Sequence, residues 1–163
     1  MLKRKVPVEI IARGLFKYLE DESNMENMLS DIDVSERANV RLELKLLSVF
    51  VIDYGAYEVL GDTPNKKALL DAFYALLRIE SERFFGISFS IIFPKILDRL
   101  SEYAKALKTP HNMGPMFVLG KTFSSLCGKE KDLDLTFKGS LWFQAGLQFL
   151  PLREYLKKYE IEI

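Results

Sequence analysis

Asp53, Glu80 and Arg83 are the residues whose types and positions could together do chemistry. Asp53 lies among the apolar residues of a predicted long helix, away from the polar strip of that helix. Glu80 lies within the apolar arc of the following predicted helix, and Arg83 borders the same arc three residues later, where the two can pair. Two carboxylates and an arginine in an apolar interior could act as acid, base and anion clamp, because such surroundings separate pKa values.

Three interpretations of these polar residues are open at the level of the sequence. They can have a structural role, as an ion-pair network between neighbouring helices or as a subunit contact, or they can bind a ligand or catalyse a reaction. Burying an unpaired carboxylate is costly, so we predict that Asp53, Glu80 and Arg83 are mostly buried and that at least two of them are paired. Because no complete set of catalytic residues accompanies them, we assign no catalytic residue.

Residues that usually bind metals or act as nucleophiles are scarce in the chain. His111 is the only histidine and Cys127 the only cysteine, which leaves too few nitrogen and sulfur ligands for a structural zinc site. Cys127 comes at the end of a predicted helix, where the helix dipole disfavours a thiolate. We therefore predict no metal site, no cofactor and no internal disulfide, and the single cysteine favours a reducing, cytoplasmic location.

A Gly-Lys-Thr run at residues 120–122 is similar to the end of a phosphate-binding loop. The match fails because Pro115 stands where such a loop needs a glycine, and because no predicted strand precedes the run. We expect a helix here instead, in which Gly120 lets a neighbouring segment approach closely.

The composition favours one stably folded domain over residues 1–163. Of these residues 48% are apolar, and 23 basic residues balance 23 acidic ones. Zero net charge removes the attraction on which nucleic-acid binding largely depends, so we predict no nucleic-acid partner. The longest charge-free run, residues 139–152, has 14 residues. A membrane-spanning helix needs roughly 20, so we also predict no membrane segment.

Apolar residues recur at three- and four-residue spacing nearly throughout the chain, which predicts an all-α fold. We expect a single-domain bundle of five to six helices with a long central second helix. That helix runs from Val34 to Leu60, stops at Gly61 and is apolar around almost its whole circumference. The other predicted helices cover residues 7–20, 64–85, 89–107, 115–127 and 140–159, the last with a break at Pro151. Residues 89–107 form either one helix kinked at Pro94 or two short helices.

Two predicted connections separate these helices and differ in charge. Residues 20–36 contain seven carboxylates and no basic residue, and we expect a solvated connection there, with or without a short helical turn. Residues 129–139 are polar and are predicted to form a loop. Residues 95–131 carry a net charge of +4, so they complement the acidic connection either within the fold or between chains.

Aromatic residues crowd the last predicted helix, which contains Trp142, Phe143 and Phe149. Such aromatic clusters usually belong to the core, but these side chains cannot all face it from a peripheral helix, so some apolar surface remains for a partner or a ligand. We expect them to anchor a two-fold homodimer, because large aromatics are frequent among the residues that carry interface energy.

The sequence therefore favours a non-enzymatic interaction or assembly protein that self-associates, with another protein as an alternative partner. Two other hypotheses are open. One is a small-molecule binding protein with an aromatic-lined cavity between its helices. The other is an enzyme that uses Asp53 or Glu80.

Overall fold

Helices make up 77% of the chain in the computed structural model, which describes residues 2–163. Six of the helices have twelve or more residues, which confirms the predicted all-α bundle. Within the described residues, no helix combines the length and the apolar character needed to cross a bilayer. In chain order the elements are β1 (Arg4–Pro7), α1 (Val8–Glu20), α2 (Ser23–Leu29), α3 (Val34–Leu60), α4 (Pro64–Phe85), α5 (Phe89–Lys108), α6 (Pro115–Leu126), α7 (Leu133–Phe149), α8 (Leu152–Lys158) and β2 (Tyr159–Glu162).

Helix α3 is the centre of the bundle, as predicted. It begins at Val34 and ends at Leu60, and Gly61 follows with a φ of 66°, which glycine adopts without steric strain. Because α3 is apolar on nearly every side, it contacts all seven other helices. The predicted bounds of the long helix are therefore confirmed.

Two hydrophobic clusters share α3. One packs α3 against α1, α4, α5 and α8 and includes the fully buried Leu15 and Phe73. The other packs α3 against α2, α5, α6 and α7 and includes the fully buried Phe123 and Phe143. At about 25 cal/mol for each Å² of apolar surface removed from water, such clusters provide the main driving force for folding. That both clusters share α3 agrees with the prediction of a single domain over residues 1–163, which stays a prediction.

The start of α7 differs from the prediction. The loop expected over residues 129–139 is wrong in its second half, because α7 begins at Leu133. Asp132 caps the helix by accepting a hydrogen bond from the backbone N–H of Leu135 at 3.1 Å. An aspartate just before an apolar residue is a typical start of a helix, but the polar character of the segment led to the prediction of a loop.

Two glycines bring α6 and α7 into close contact. Gly139 continues α7 without a break, and a Cβ atom there would lie 2.6 Å from the ring of Phe123. Gly120 in α6 faces the backbone carbonyl of Thr136. The expectation that Gly120 allows a close approach is confirmed, and Gly139 has the same role on the facing helix.

The two ends of the described chain pair as a parallel two-stranded sheet that was not predicted. Val6 of β1 lies opposite Ile161 of β2, and both side chains are buried. Each strand has four residues, which is too short for a clear alternating pattern in the sequence. The expectation of a chain without strands is therefore wrong at residues 4–7 and 159–162.

The acidic segment 20–36 is mostly exposed, as expected for a solvated connection, but its Met25 and Leu29 are buried. Helix α2 forms within it, and five of its seven carboxylates pair with basic residues of the same chain. Only one of those basic residues, Lys129, belongs to the segment with a net charge of +4. The expected pairing of residues 20–36 with residues 95–131 is therefore limited to Glu36–Lys129, and the other four basic partners lie elsewhere in the chain. The pairs are Glu20–Arg83, Glu22–Lys45, Glu26–Arg41, Asp31–Lys138 and Glu36–Lys129.

Candidate functional site

Asp53 is half-buried in α3 and is bonded to a neighbouring helix. The hydroxyl of Tyr74 in α4 donates a hydrogen bond to its Oδ2 atom at 2.7 Å. Burial raises the pKa of Asp53, and the Tyr74 hydrogen bond and the positive charge of Lys66 only partly oppose that effect. The contact joins α3 to α4, so Asp53 has a structural partner that the sequence did not identify.

Glu80 and Arg83 form an ion pair, but Arg83 lies at the surface. The Nε atom of Arg83 lies 2.5 Å from Glu80, and its Nη2 atom lies 2.9 Å from Glu20 of α1. These hydrogen bonds, that with Glu20 first, raise the pKa of Arg83. The Arg83 side chain is 59% exposed, so the expectation that it is buried is wrong. Arg83 lies in the last turn of α4, where the next two residues, Phe84 and Phe85, are buried and Arg83 itself faces solvent.

The structure separates Asp53 from the Glu80–Arg83 pair. Asp53 is bonded to Tyr74, whereas Arg83 joins Glu80 to Glu20, and no hydrogen bond or ion pair connects the two groups within residues 2–163. An acid and a base acting together with an anion clamp require all three side chains at one place. This geometry favours two separate structural contacts.

The three predicted interface aromatics have different environments. Phe143 is fully buried and stacks on Phe50 of α3 with the ring centres 5.6 Å apart. It belongs to the core, so its assignment as an interface anchor is wrong. Trp142 is half-buried, and Phe149 is 69% exposed. Helical periodicity alone could not show which of these three side chains is buried, because α7 is apolar on more than one face.

A cleft of about 800 Å³ lies between α1, α2, α3 and α7, and we call it the α2–α7 cleft. One wall is apolar and aromatic and comes from α7, where Leu141, Trp142 and Phe149 line it. The opposite wall carries the amides of Asn24 and Asn27 from α2. The complete lining consists of Tyr18, Leu19, Asp21, Asn24, Asn27, Met28, Ser48, Lys138, Leu141, Trp142, Ala145, Gly146 and Phe149.

Both charged groups that line the cleft are bonded to other residues. Lys138 forms ion pairs with Asp31 and with Asp134. The carboxylate of Asp21 accepts hydrogen bonds from the hydroxyl and the backbone N–H of Ser23, which lower the pKa of Asp21. The cleft lining therefore offers no free cation within residues 2–163, whereas Asp21 is an exposed carboxylate without a counter-ion.

The neutral polar groups that line the cleft, a tyrosine hydroxyl and two side-chain amides, have free hydrogen-bonding capacity. Burial, with a contribution from Asp21, raises the pKa of Tyr18 to about 12, so its hydroxyl stays protonated at neutral pH. Neither this hydroxyl nor the side-chain amides of Asn24 and Asn27 have a hydrogen-bond partner within residues 2–163. These groups can donate to a bound molecule and can accept from it.

Helix α7 also presents a row of exposed apolar residues, which we call the α7 ridge. Its members follow at four-residue spacing, and the four large side chains are between 49% and 69% exposed. Three of the members also line the cleft, so the ridge and the cleft form one continuous surface. The ridge consists of Leu133, Phe137, Leu141, Ala145 and Phe149.

The sequence reasoning missed the buried ion pair of Glu43 and Arg99. Glu43 is 1% exposed, and its two carboxylate oxygens accept hydrogen bonds from Nε and Nη2 of Arg99 at 2.9 and 2.7 Å. The pair joins α3 to α5. A signal was present, because Glu43 precedes the core positions 46, 47 and 50 by three, four and seven residues, which places it on a buried helix face.

Two further buried groups lie near this pair. Tyr103 is fully buried, and its hydroxyl has no hydrogen-bond partner in the described chain. Burial, with a contribution from Glu43, raises the pKa of the Cys127 thiol to about 12. The thiol therefore stays protonated at neutral pH, in agreement with the prediction that Cys127 is not activated.

The described residues contain no group of three or more histidine, cysteine, aspartate or glutamate side chains placed to hold a metal ion. His111 lies in the loop between α5 and α6, where its Nδ1 atom accepts a hydrogen bond from the backbone N–H of Met113 at 3.0 Å. No protein-family model, curated protein or solved structure matches this chain. Its function is therefore inferred from the geometry of its own surface.

Proposed function

We propose that this chain is a non-enzymatic binding protein that holds an uncharged ligand with a flat apolar body in the α2–α7 cleft. One observation carries the proposal: a cleft of about 800 Å³ has an aromatic wall on α7 and an amide wall on α2. Small-molecule sites usually measure about 300–1,000 Å³ and combine apolar walls with a few polar groups that orient the ligand.

The chemistry of the walls defines the ligand class. Lys138 is already paired with two carboxylates, so an anionic ligand group would lose water without gaining a free cation. Asp21 has no counter-ion but is exposed, so an ion pair with it would add little affinity. Trp142 and Phe149 favour a flat ring, because offset stacking and edge contacts stabilise aromatic pairs. The amides of Asn24 and Asn27 would then bond to polar atoms at the edge of that ring.

The enzyme hypothesis lacks support at this site. Neither Asp53 nor Glu80 lines the cleft. Each is bonded to a neighbour instead, Asp53 to Tyr74 and Glu80 to Arg83. A reaction in the cleft would have no acid or base from the residues that the sequence offered.

Self-association is a second candidate function, favoured by the α7 ridge. A row of four large apolar side chains on an exposed helix is a surface that a partner can cover. This candidate keeps the self-association expected from the sequence but changes its anchors. Phe149 is still proposed as an anchor, and other residues of the α7 ridge take the place of Phe143. Trp142 is assigned to the wall of the cleft instead.

Binding of Nile red, an uncharged flat dye, tests the first proposal. Trp142 is the only tryptophan of the chain and lies in the cleft wall, so its fluorescence reports on the site directly. We expect saturable binding of one dye per cleft, with a shift of dye emission to shorter wavelength and quenching of Trp142. The anionic dye anilinonaphthalene sulfonate should bind more weakly. Absence of saturable Nile red binding at tens of micromolar would overturn the proposal.

Matched variants locate the dye. Phe149→Ala should weaken binding about fivefold to tenfold, since it removes an aromatic contact of the size expected for one ring pair. Ile79→Ala changes an exposed apolar residue of α4 that lies outside the cleft and should leave binding unchanged. The double variant Asn24→Ala with Asn27→Ala should also weaken binding, whereas Asn112→Ala in the α5–α6 loop should not. Equal effects in variants and controls would place the dye elsewhere.

A further inference from the structure

We infer that the hydroxyl of Tyr18 is the inner anchor of the α2–α7 cleft and selects a ligand whose flat apolar body carries a neutral carbonyl oxygen at one end. A carbonyl oxygen accepts the hydroxyl hydrogen, whereas a plain hydrocarbon leaves it unbonded. This selection rests on the function proposed above and narrows its ligand class.

The ring of Tyr18 is held in place by the bundle. It extends from α1 and packs against both hydrophobic clusters. A Cβ atom on Gly146 of α7 would lie 3.0 Å from the Tyr18 hydroxyl oxygen and 3.0 Å from a methyl group of Val51 in α3. Because Gly146 has no side chain and Val51 is 1% exposed, the hydroxyl lies against the α7 backbone at the deep end of the cleft, which Tyr18 and Gly146 both line.

The other half-buried polar groups of the lining are already bonded. The hydroxyl of Ser48 donates to a backbone carbonyl of α3 and accepts from the indole N–H of Trp142. Lys138 is paired with two carboxylates. Tyr18 is therefore the half-buried polar side chain of the lining whose hydrogen has no acceptor within residues 2–163.

A carboxylate group of a ligand is disfavoured at this position. Asp21 also lines the cleft, as an exposed carboxylate without a counter-ion within residues 2–163. After burial, the charge of Asp21 is the second cause of the raised pKa of Tyr18, so a negative charge at the hydroxyl is repelled. A carboxylate bonded to Tyr18 would meet the same repulsion and the same cost of burial, whereas a ketone or amide carbonyl would not.

Polar groups at two depths of the cleft define the direction of the ligand. The amides of Asn24 and Asn27 are exposed on α2 and meet the ligand near solvent. The hydroxyl of Tyr18 meets it at the deep end. A ligand with its carbonyl oxygen inside and a second polar atom outside bonds to both groups, while its ring contacts the aromatic wall of α7.

Two probes with the same carbon skeleton test the selection. Methyl naphthyl ketone has a carbonyl group where ethylnaphthalene has a methylene group, and displacement of Nile red, corrected for the affinity of the dye itself, measures both. Tyr18→Phe should weaken binding of the ketone about fivefold to tenfold, as expected for one lost hydrogen bond, and should change binding of the hydrocarbon less than about twofold. Comparing the two changes cancels the difference in hydrophobicity between the probes. Tyr155→Phe removes a hydroxyl outside the cleft lining and should leave both affinities unchanged.

Naphthoate, which carries a carboxylate on the same ring system, tests the requirement for a neutral oxygen. It should bind the parent at least about tenfold more weakly than the ketone. In Asp21→Asn its affinity should rise about twofold to fourfold at low ionic strength, because a screened surface charge is removed, while the affinity for the ketone should not rise. Asp62→Asn changes an exposed carboxylate outside the cleft lining and is the control. Equal affinities of the parent for naphthoate and the ketone would overturn the requirement.

Urea unfolding without any ligand tests whether the hydroxyl is free. Because the hydroxyl of Tyr18 has no partner in the fold, Tyr18→Phe should unfold at the same urea concentration as the parent or at a slightly higher one. Tyr74→Phe removes a hydroxyl that is bonded to Asp53 and should unfold at a lower concentration. A lower midpoint for Tyr18→Phe would show that its hydroxyl is already bonded within the protein and would overturn the inference.

The contrary outcomes of the binding experiment are distinguishable. If Nile red binds the parent and Tyr18→Phe weakens both naphthalene probes equally, or neither of them, the inference is overturned and the proposed function stands. Failure of both probes to displace bound Nile red has the same meaning. Absence of saturable Nile red binding would overturn the proposed function and the inference with it.

Discussion

The indole Nε1 atom of Trp142 donates a hydrogen bond to the Oγ atom of Ser48 across 2.9 Å. Ser48 donates in turn to the backbone carbonyl of Leu44 within α3. The tryptophan is thereby fixed to the central helix, and its ring forms a rigid wall of the α2–α7 cleft. A wall held in this way loses little conformational freedom when a ligand binds, which favours affinity.

Ser48→Ala should loosen this wall. The substitution leaves the half-buried indole N–H without its acceptor, so we expect the free energy of unfolding to fall by about 1–2 kcal/mol. Urea denaturation followed by circular dichroism measures the loss, and the emission maximum of Trp142 should shift in the folded state. Ser125→Ala, at an exposed position of α6, is the control and should be nearly neutral. An unchanged unfolding midpoint in Ser48→Ala would show that the hydrogen bond contributes no net stability.

The Glu43–Arg99 pair should show a large effect when one partner is removed. Arg99→Met leaves the 1% exposed Glu43 carboxylate without its counter-ion, and we expect a loss of about 3–5 kcal/mol in the free energy of unfolding. Arg83→Met removes an arginine that is also bonded to carboxylates but is exposed, so it should have a much smaller effect.

The double variant Glu43→Leu with Arg99→Met distinguishes lost packing from an unpaired charge. It removes both charges together and should recover most of the stability lost in Arg99→Met. If the double variant is as unstable as the single one, the loss comes from packing around Arg99 and the charge interpretation is wrong.

The sequence predicted correctly those features that adjacent residues determine within a single helix. The bounds of α3 follow from its apolar circumference and from Gly61, and both are properties of adjacent residues. The start of α7 was missed because residues 129–139 are polar and end in a glycine, Gly139, which in the fold contacts Phe123 of another helix. A glycine that stops a helix and one that lets two helices meet look the same in one sequence.

The sequence identified some of the residues that line the candidate site but not how the structure arranges them. Trp142 and Phe149 were recognised as apolar surface, and both line the cleft. The opposite wall of α2 could not be predicted, because its position depends on ion pairs with residues of α3 and α7. Helical period placed Asp53 and Arg83 near apolar faces but did not show that Tyr74 and Glu20 are their partners.

Asp53 should give the protein a distinct pH dependence. Its native pKa is raised by burial, so between that value and the ordinary value of about 4 the folded state binds more protons than the unfolded state. The contribution of Asp53 to the free energy of unfolding therefore falls as pH rises through this interval. Asp53→Asn keeps an oxygen acceptor for Tyr74 without ionising, so it should be more stable than the parent at pH 7.

The stability difference between Asp53→Asn and the parent should shrink as pH is lowered towards 4. Urea unfolding at several pH values measures this difference. Asp71→Asn changes a surface carboxylate paired with Lys67 and should show no such gain at pH 7. A difference that stays constant with pH would mean that the ionisation of Asp53 is not linked to folding.

Gly139→Ala should destabilise the protein although alanine is the better helix former. Alanine in a helix interior gains about 0.5–1 kcal/mol over glycine, but the new Cβ atom would lie 2.6 Å from the ring of fully buried Phe123. Forcing an extra carbon into a packed contact costs about 1–3 kcal/mol, so the net change in the free energy of unfolding should be a loss of about 1–2 kcal/mol.

Gly14→Ala in α1 is the matched control, because its Cβ atom would meet only the far end of the half-buried Tyr155 side chain, which can move aside. Combining Gly139→Ala with Phe123→Leu should make the two losses less than additive, because the smaller side chain relieves the contact. Strict additivity in a double-mutant cycle measured by urea denaturation would show that Gly139 and Phe123 do not limit the approach of α6 to α7.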